Sequence, residues 1–319
     1  MFELNNPLAA YHGKRIVITG GAGFIGSALS NSLSATSTVV AVDNLATGSW
    51  ERCEPGVQRI QLDIARCEDS KILEILEDSD YLFHLAAVKK HNRVNTFDSI
   101  IQNNVIATER LFRLATSTKT PRVIFSSSLY AYGSMGPSIM SENDEINPLT
   151  YYGLSKLVGE NLLKIASQQG LISYIIPRLF FIYGPNQYAE GGYKSVIYKS
   201  FENILNGRPA EIYGSGLQAL DYVYLNDCIK SLLLLGSSSY QGIVNIASSV
   251  PTTVQQLIDE INTITENDST IHSAPDWTEG SYRVGDNSRL KYLIGEIPAT
   301  SISEGLRETW NSMKGEYRC

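Results

Sequence analysis

The segment that most constrains this chain runs from Arg15 into a helix that begins at about Ser27. Arg15-Ile16-Val17-Ile18-Thr19 is a short β-branched run, and it passes without a gap into Gly20-Gly21-Ala22-Gly23-Phe24-Ile25-Gly26. Strand, glycine turn and helix in that order open a βαβ unit. The glycines allow a tight turn and let backbone N–H groups approach a pyrophosphate, which the positive end of the helix dipole also favours. Gly26 is expected to let the helix pack closely against the sheet. A glycine turn alone says little; the strand before it and the helix after it make this one specific.

The next strand ends at Asp43-Asn44, about 20 residues on. A carboxylate there accepts both ribose hydroxyls and repels a 2′-phosphate, so the expected cofactor is NAD rather than NADP. Asp63-Ile64 ends the third strand, where Asp63 is either a contact near adenine or a helix cap. Further strands are expected over Thr38 to Val42, Arg59 to Leu62, Tyr81 to Leu85, Arg122 to Ser127 and Ser173 to Arg178. Short strands alternating with longer helical stretches imply an α/β fold, a Rossmann-like doubly wound parallel sheet whose ligands bind beyond the strand C-termini.

After Arg178 the alternation weakens and Gly/Pro punctuation appears at Gly184-Pro185-Asn186, Gly191-Gly192, Gly207-Arg208-Pro209 and Gly214-Ser215-Gly216. This pattern predicts residues 1–180 as the dinucleotide-binding domain and 181–319 as mainly a smaller α/β substrate-binding region. The strand-like Ile243 to Ala247 predicts a return to the first sheet at about 221–249.

Length and composition narrow the function classes. A chain of 319 residues is long enough for about two domains and needs no disulfide framework. Its net charge of -7, without a dense Lys/Arg block, argues against a nucleic-acid partner. Cys53, Cys67, Cys228 and Cys319 contain no C-x-x-C pair, as expected of reduced thiols in the cytoplasm. No stretch approaches 18 apolar residues and the start lacks a basic and then apolar leader pattern, so no membrane partner is expected. No metal site is expected either.

Tyr152 and Lys156 stand four residues apart in a segment of helical period, which places both on one helix face. A phenol is a weak base at neutral pH, but an adjacent ammonium and a cationic nicotinamide favour its phenolate form. Ser126-Ser127-Ser128 closes the strand that begins at Arg122, placing a hydroxyl where it can bond a reacting oxygen. Each feature alone is common; their order after the glycine turn is what points to chemistry. His84, inside an apolar strand, reads as a hydrogen-bonded core histidine rather than an acid or base.

Together these residues resemble the extended short-chain dehydrogenase/reductases, and within them the UDP-galactose 4-epimerase-like nucleotide-sugar enzymes. The resemblance runs through Gly20 to Gly26, Asp43-Asn44, Asp63-Ile64, His84 to Ala87, Asn104 to Thr108, Ser126 to Ser128, Tyr152 to Lys156 and Arg178 to Pro185. It continues through Ile212 to Gly216, Asp221 to Tyr224 and Arg283 to Asp286. It implies NAD contacts at Gly20, Gly23, Phe24, Ile25 and Gly26, at Leu85, Ala86, Ala87 and Lys89, and at Asn104, Tyr152 and Lys156. It implies substrate contacts at Ser128, Tyr130, Phe181, Tyr213 and Arg283. Tyr152 would take the C4 hydroxyl proton while hydride passes to tightly held NAD, with Ser128 and Lys156 assisting. A tethered 4-keto sugar would then turn and take the hydride back on its other face. The resemblance also implies a homodimer formed by helices near Asp98 to Thr116 and Tyr151 to Gln168.

Dehydratases and decarboxylases of this family carry acids just after the serine; here those positions are Leu129 and Tyr130, which favours a nucleotide-sugar 4-epimerase over either. The alternative to all three is a protein that holds NAD without turnover. Two positions depart from the family pattern. Phe181 stands where Asn is usual and Leu220 where Arg is usual, so the diphosphate would be held partly by other groups, such as Lys194 or Lys89. Lys89 and Lys90 are equally readable as a solvated loop.

Overall fold

The computed structural model describes residues 7–89, 97–118, 120–133, 139–168, 172–187, 194–273, 282–295 and 299–316. Lys90 and Gly191-Gly192 lie outside the described residues. The first part of the chain forms β1 (Arg15–Thr19), α1 (Phe24–Ser34), β2 (Thr38–Asp43), β3 (Gln58–Gln61), α2 (Asp69–Leu76), β4 (Tyr81–His84) and α3 (Phe97–Ile100). A π-helical turn (Ile101–Ile106) joins α3 to α4 (Ala107–Ser117), and β5 (Arg122–Phe125), β6 (Ser127–Ser128), α5 (Tyr151–Gln168) and β7 (Ser173–Leu179) follow.

The rest comprises β8 (Phe181–Tyr183), α6 (Val196–Leu205), β9 (Ala210–Tyr213), β10 (Ala219–Tyr224), α7 (Leu225–Ser237), β11 (Gly242–Ile246), β12 (Pro251–Thr253) and α8 (Val254–Thr265). It ends in β13 (Thr270–Ser273), β14 (Tyr282–Arg283), α9 (Ser288–Ile294) and α10 (Ile302–Glu316).

The large sheet has the order β11-β7-β5-β4-β1-β2-β3, with β6 also paired to β7, and its pairings are parallel. Both faces are covered, which is why β1 and β2 read as near-continuous apolar runs. Ile16 and Ile18 pack with Leu29 and Leu33 of α1 and Leu232 and Leu235 of α7. Val17 faces the other way, among Ile72 and Leu76 of α2, Phe112 of α4 and Leu163 of α5. Each of these side chains is fully or almost fully buried, and burial of one such group stabilises the fold by about 1.5–3 kcal/mol.

The chain winds from β1 outward to β3 and then crosses back to β4 on the other side of β1. This reversal opens a crevice beyond the C-terminal ends of β1 and β4. A second sheet, β12-β10-β14 with β8 paired to β10, and the two-stranded β13-β9 form the smaller region. β10 belongs to this smaller sheet, and the chain rejoins the large sheet with β11, which pairs in register with β7. The sequence-based strands agree with the observed ones to within about a residue at most ends. The exception is Arg122 to Ser127, which breaks at Ser126: its N–H goes to the His84 carbonyl, outside the β5–β7 ladder.

Candidate active site

A single cavity of about 1580 Å³ runs from the crevice of the large sheet to the smaller region. Its inner end is the glycine turn. Gly23 is the N-cap of α1 and supplies no side chain there, so the first-turn N–H groups of Phe24, Ile25 and Gly26, which have no partner within the helix, open to the cavity. A Cβ on Gly26 would lie 2.0 Å from the Gly20 carbonyl oxygen, so only glycine permits this turn. The absence of an acid in the first turn leaves the dipole end available to an anion.

Asp43, at the end of β2, lines the same cavity. Its carboxylate accepts from the backbone N–H of Ala22 at 3.1 Å and of Leu45 at 2.8 Å, which fixes it between the glycine turn and the following loop. Asn44, Asp63 and Ile64 line the neighbouring wall. Asp63 accepts from Ala65 N–H at 3.0 Å and so closes a local turn rather than capping a helix, since α2 begins at Asp69 with Glu68 as its N-cap.

Beyond β4, Leu85, Ala86, Ala87 and Lys89 line the cavity floor. Asn104 does not line it. Its amide oxygen accepts from Val88 N–H at 2.7 Å, and its nitrogen donates to the Val88 carbonyl at 2.9 Å and to Ser155 Oγ at 3.1 Å. The π-helical turn aims this side chain, and Asn104 thereby ties the loop that carries Lys89 to α5. His84 is fully buried: Thr19 Oγ1 lies 2.6 Å from Nδ1 and Thr108 Oγ1 2.9 Å from Nε2, and its ring stacks on Phe125. Burial, together with the Lys156 charge, lowers its pKa to about 3, so it is a neutral core residue.

Tyr152 and Lys156 lie in the first turns of α5. Gly153 explains how this helix comes so close: a Cβ there would meet the Tyr130 carbonyl oxygen at 2.1 Å. Lys156 Nζ donates to the Ser126 carbonyl at 2.8 Å and sits 5.8 Å from the Tyr152 ring centroid. Ser128 Oγ accepts from Tyr130 N–H at 3.3 Å, and its side chain lies close enough to the Tyr152 phenol to act on its pKa. Burial pushes the Tyr152 phenol well above its usual pKa, opposed by Ser128. Lys156 is lowered to about 7 by burial and then by the Lys89 charge, while Glu160 acts in the opposite direction. The sequence reading took Lys156 as an ordinary ammonium; its enclosed position beside a second lysine makes that charge labile near neutrality.

On the substrate side, Tyr130 meets Tyr152 edge to face at 6.0 Å and its hydroxyl accepts from Arg283 Nη1 at 3.3 Å. Phe181 and Tyr213 also line the cavity, as do Leu220 and Lys194. Leu220 is the register partner of Arg283 across β10 and β14, so the apolar residue and the cation lie side by side. Lys194 pairs with Glu202 at 2.6 Å. Lys199, which the sequence reading passed over, lies 5.9 Å from the Tyr213 ring. No local pattern links two residues on a helix and a strand of the smaller region.

The reversed parallel sheet, the open helix N-terminus facing Asp43 and the serine, tyrosine and lysine beyond β6 define a short-chain dehydrogenase/reductase-type dinucleotide enzyme. The NAD dependent epimerase/dehydratase family matches residues 16–247, and the chain belongs to this family. A putative UDP-glucose 4-epimerase of Methanocaldococcus jannaschii is 32% identical over 95% of this chain and 99% of its own. A UDP-N-acetyl-alpha-D-glucosaminuronate decarboxylase of Bacillus cytotoxicus is 29% identical over 93% of this chain and 96% of its own. The UDP-N-acetylglucosamine 4-epimerase of Methanobrevibacter ruminantium, solved with UDP-N-acetylmuramic acid, superimposes with a TM-score of 0.90 at 30% identity, over 96% of this chain and 99% of that one. The cofactor is NAD, and the uncapped α1 terminus and the Asp43 carboxylate fit its pyrophosphate and ribose.

Proposed function

We propose that the protein is a nucleotide-sugar 4-epimerase that works through a transient 4-keto sugar. The observation that carries this reading is the pairing of a complete Ser128, Tyr152 and Lys156 set with Leu129 and Tyr130 at the next two positions. Leu129 is buried in the core and Tyr130 faces Arg283, so neither supplies a carboxylate for elimination or decarboxylation. The acids that do line the cavity are Asp43, Asp63 and Glu211. The first two lie at the ends of β2 and β3, and Glu211 is on β9, held by Ser273.

Tyr152 is the group that takes and returns the proton of the C4 hydroxyl. Ser128, beside Tyr152, holds the reacting oxygen, and Lys156 in its charged form stabilises the phenolate. Bound NAD supplies the acceptor and donor of hydride. Arg283 holds the diphosphate, and Tyr213, with an exposed ring, stacks on the base. A fixed diphosphate keeps the keto sugar in the pocket while it turns, which makes its reduction intramolecular. Lys194 and Lys89 add positive charge where Phe181 and Leu220 supply none.

We place the dinucleotide-binding part at residues 1–180 and the nucleotide-sugar part mainly at 181–319. A homodimer is supported by apolar side chains left exposed on α3, α5 and the adjoining π-helical turn, among them Phe97, Ile106, Tyr151 and Leu154. A cytoplasmic location is supported by the unpaired thiols of Cys53, Cys67 and Cys228. Among the described residues no helix is long and apolar enough to cross a membrane.

The test is to incubate purified protein with UDP-, GDP- and dTDP-sugars, uronic acids and N-acetylhexosamines included, and to analyse products by mass and NMR. A product of unchanged mass with inverted C4 is expected. Loss of water or carbon dioxide would replace the epimerase reading with dehydration or decarboxylation.

A further inference from the structure

Tyr152, Lys156 and Glu160 follow one another at intervals of four along α5, and each meets one of three consecutive serines. Ser128 lies beside the Tyr152 phenol and acts to lower its pKa, the Ser126 carbonyl accepts from Lys156 Nζ at 2.8 Å, and Ser127 Oγ donates to Glu160 Oε1 at 2.5 Å. The first two contacts belong to the catalytic set. The third does not touch the reacting atoms, yet it is the most buried of the three: Glu160 and Arg178 both have 0% exposure. Arg178 Nε and Nη2 donate to the two Glu160 oxygens at 2.9 and 2.8 Å. The Arg178 guanidinium also lies 4.5 Å from the Tyr132 ring.

A fully buried ion pair is an expensive way to stabilise a fold, because its desolvation cost is about as large as its Coulombic gain. An apolar pair would pack the same space at least as well. The location of this pair accounts for it: Glu160 joins α5 to β6 through Ser127 and to β7 through Arg178, one helical turn beyond Lys156. We propose that Glu160, locked by Arg178 and Ser127, is a positioning residue for the Tyr152–Lys156 pair: it fixes the register of Ser126 to Ser128 against α5 and holds the ammonium on Lys156. This inference rests on the epimerase reading for its kinetic readout only.

The groups that face Lys156 are Tyr152 and Glu160 from α5, His84 from β4 and Lys89 from the loop after β4. His84 is neutral and Lys89 carries a like charge, so Glu160 is the anion of the set. Arg178, on β7, spends its charge on the Glu160 carboxylate, 2.8 Å away.

Three variants test the proposal. Ser127→Ala removes the hydroxyl and leaves the ion pair in place, while Ser127→Thr keeps a hydroxyl there. The double variant Glu160→Leu/Arg178→Met replaces the pair by apolar groups, an exchange that buried ion pairs elsewhere tolerate with little loss of stability. Ser127→Ala is expected to reduce kcat about tenfold with KM within twofold, and Ser127→Thr to restore most of it. In protein labelled with 13C at lysine Cε, the Lys156 resonance, assigned by its absence in Lys156→Arg, is expected to titrate at lower pH in the double variant than in wild type.

Folded Ser127→Ala protein with wild-type kcat, together with an unmoved Lys156 titration, would overturn the proposal. Should the double variant not fold, the Ser127→Ala and Ser127→Thr pair decides by itself. The lysine titration needs no substrate, so a shifted midpoint in a protein that epimerises nothing would separate failure of the epimerase reading from failure of this one.

Discussion

Asn104 grips Val88 at both ends of its backbone, accepting from the N–H at 2.7 Å and donating to the carbonyl at 2.9 Å. Asn104 does not line the cavity, but Val88 does, and the contact sets the position of the neighbouring Lys89. Asn104→Ala removes the grip, and it is expected to raise the NAD dissociation constant about tenfold and to destabilise the fold by about 1–3 kcal/mol, the usual effect of stranding buried polar groups. Fluorescence titration with NAD and thermal unfolding check the two figures.

Asp43 is expected to set the cofactor preference. Its carboxylate lies on the ribose side of the glycine turn, anchored by Ala22 and Leu45 N–H. Asp43→Ala should reduce the preference for NAD over NADP by at least tenfold, through loss of the ribose contact and of the repulsion of a 2′-phosphate. Calorimetric titration with both dinucleotides measures this; an unchanged ratio would remove Asp43 from that role.

Tyr152→Phe removes the phenol hydroxyl proposed to carry the proton while leaving the ring packed on Tyr130. Turnover is expected to fall at least about a thousandfold with NAD still bound. Steady-state kinetics and the absorbance of the cofactor released on denaturation report the two properties separately.

Lys89 and Lys156 repel one another within the cavity, and the Lys89 charge lowers the Lys156 pKa that burial has already depressed. Replacing Lys89 by Met removes a positive neighbour, so Lys156 should hold its proton to higher pH. The alkaline limb of the pH–kcat profile is then expected to move upward, by about half a unit or more. A downward shift would contradict the geometry.

His84 makes the fold sensitive to acid. Its pKa is about 3 in the folded protein and 6.5 in an unfolded chain, so below pH 6.5 the unfolded state binds a proton that the native state refuses. Stability is therefore lost as pH falls from 6.5 toward 3, by up to about 1.4 kcal/mol per pH unit from this group. His84→Gln, which retains a polar group between Thr19 and Thr108, should flatten the decline in Tm between pH 6.5 and 5.

Much of this was legible in the sequence because the first half of the chain writes its chemistry locally. The glycine turn, Asp43 at the end of β2 and the Tyr152 and Lys156 spacing each declare a role within one element and its neighbour. Asn104 reads from its motif as a cofactor contact; that its side chain also bonds Val88 and Ser155 follows from the π-helical turn, which the motif does not encode. The Lys156 pKa depends on Lys89, which arrives from a different strand, and Glu160 meets Ser127 only after β6 has docked on α5. Such relationships belong to the tertiary packing, and no periodicity encodes them.

The reversal of winding between β1 and β4 has a consequence for the order of assembly. The glycine turn, Asp43, Lys89, Ser128 and Tyr152 all precede β7, whereas Arg283 reaches its place on β14 only near the end of the chain. A chain emerging from the ribosome would therefore carry these lining residues before the strand that holds Arg283 exists, although α7, whose Leu232 and Leu235 pack with Ile16 and Ile18, must still follow to cover that sheet. Docking of β14 beside β10 is then the step that brings Arg283 to a cleft whose other lining residues are already made.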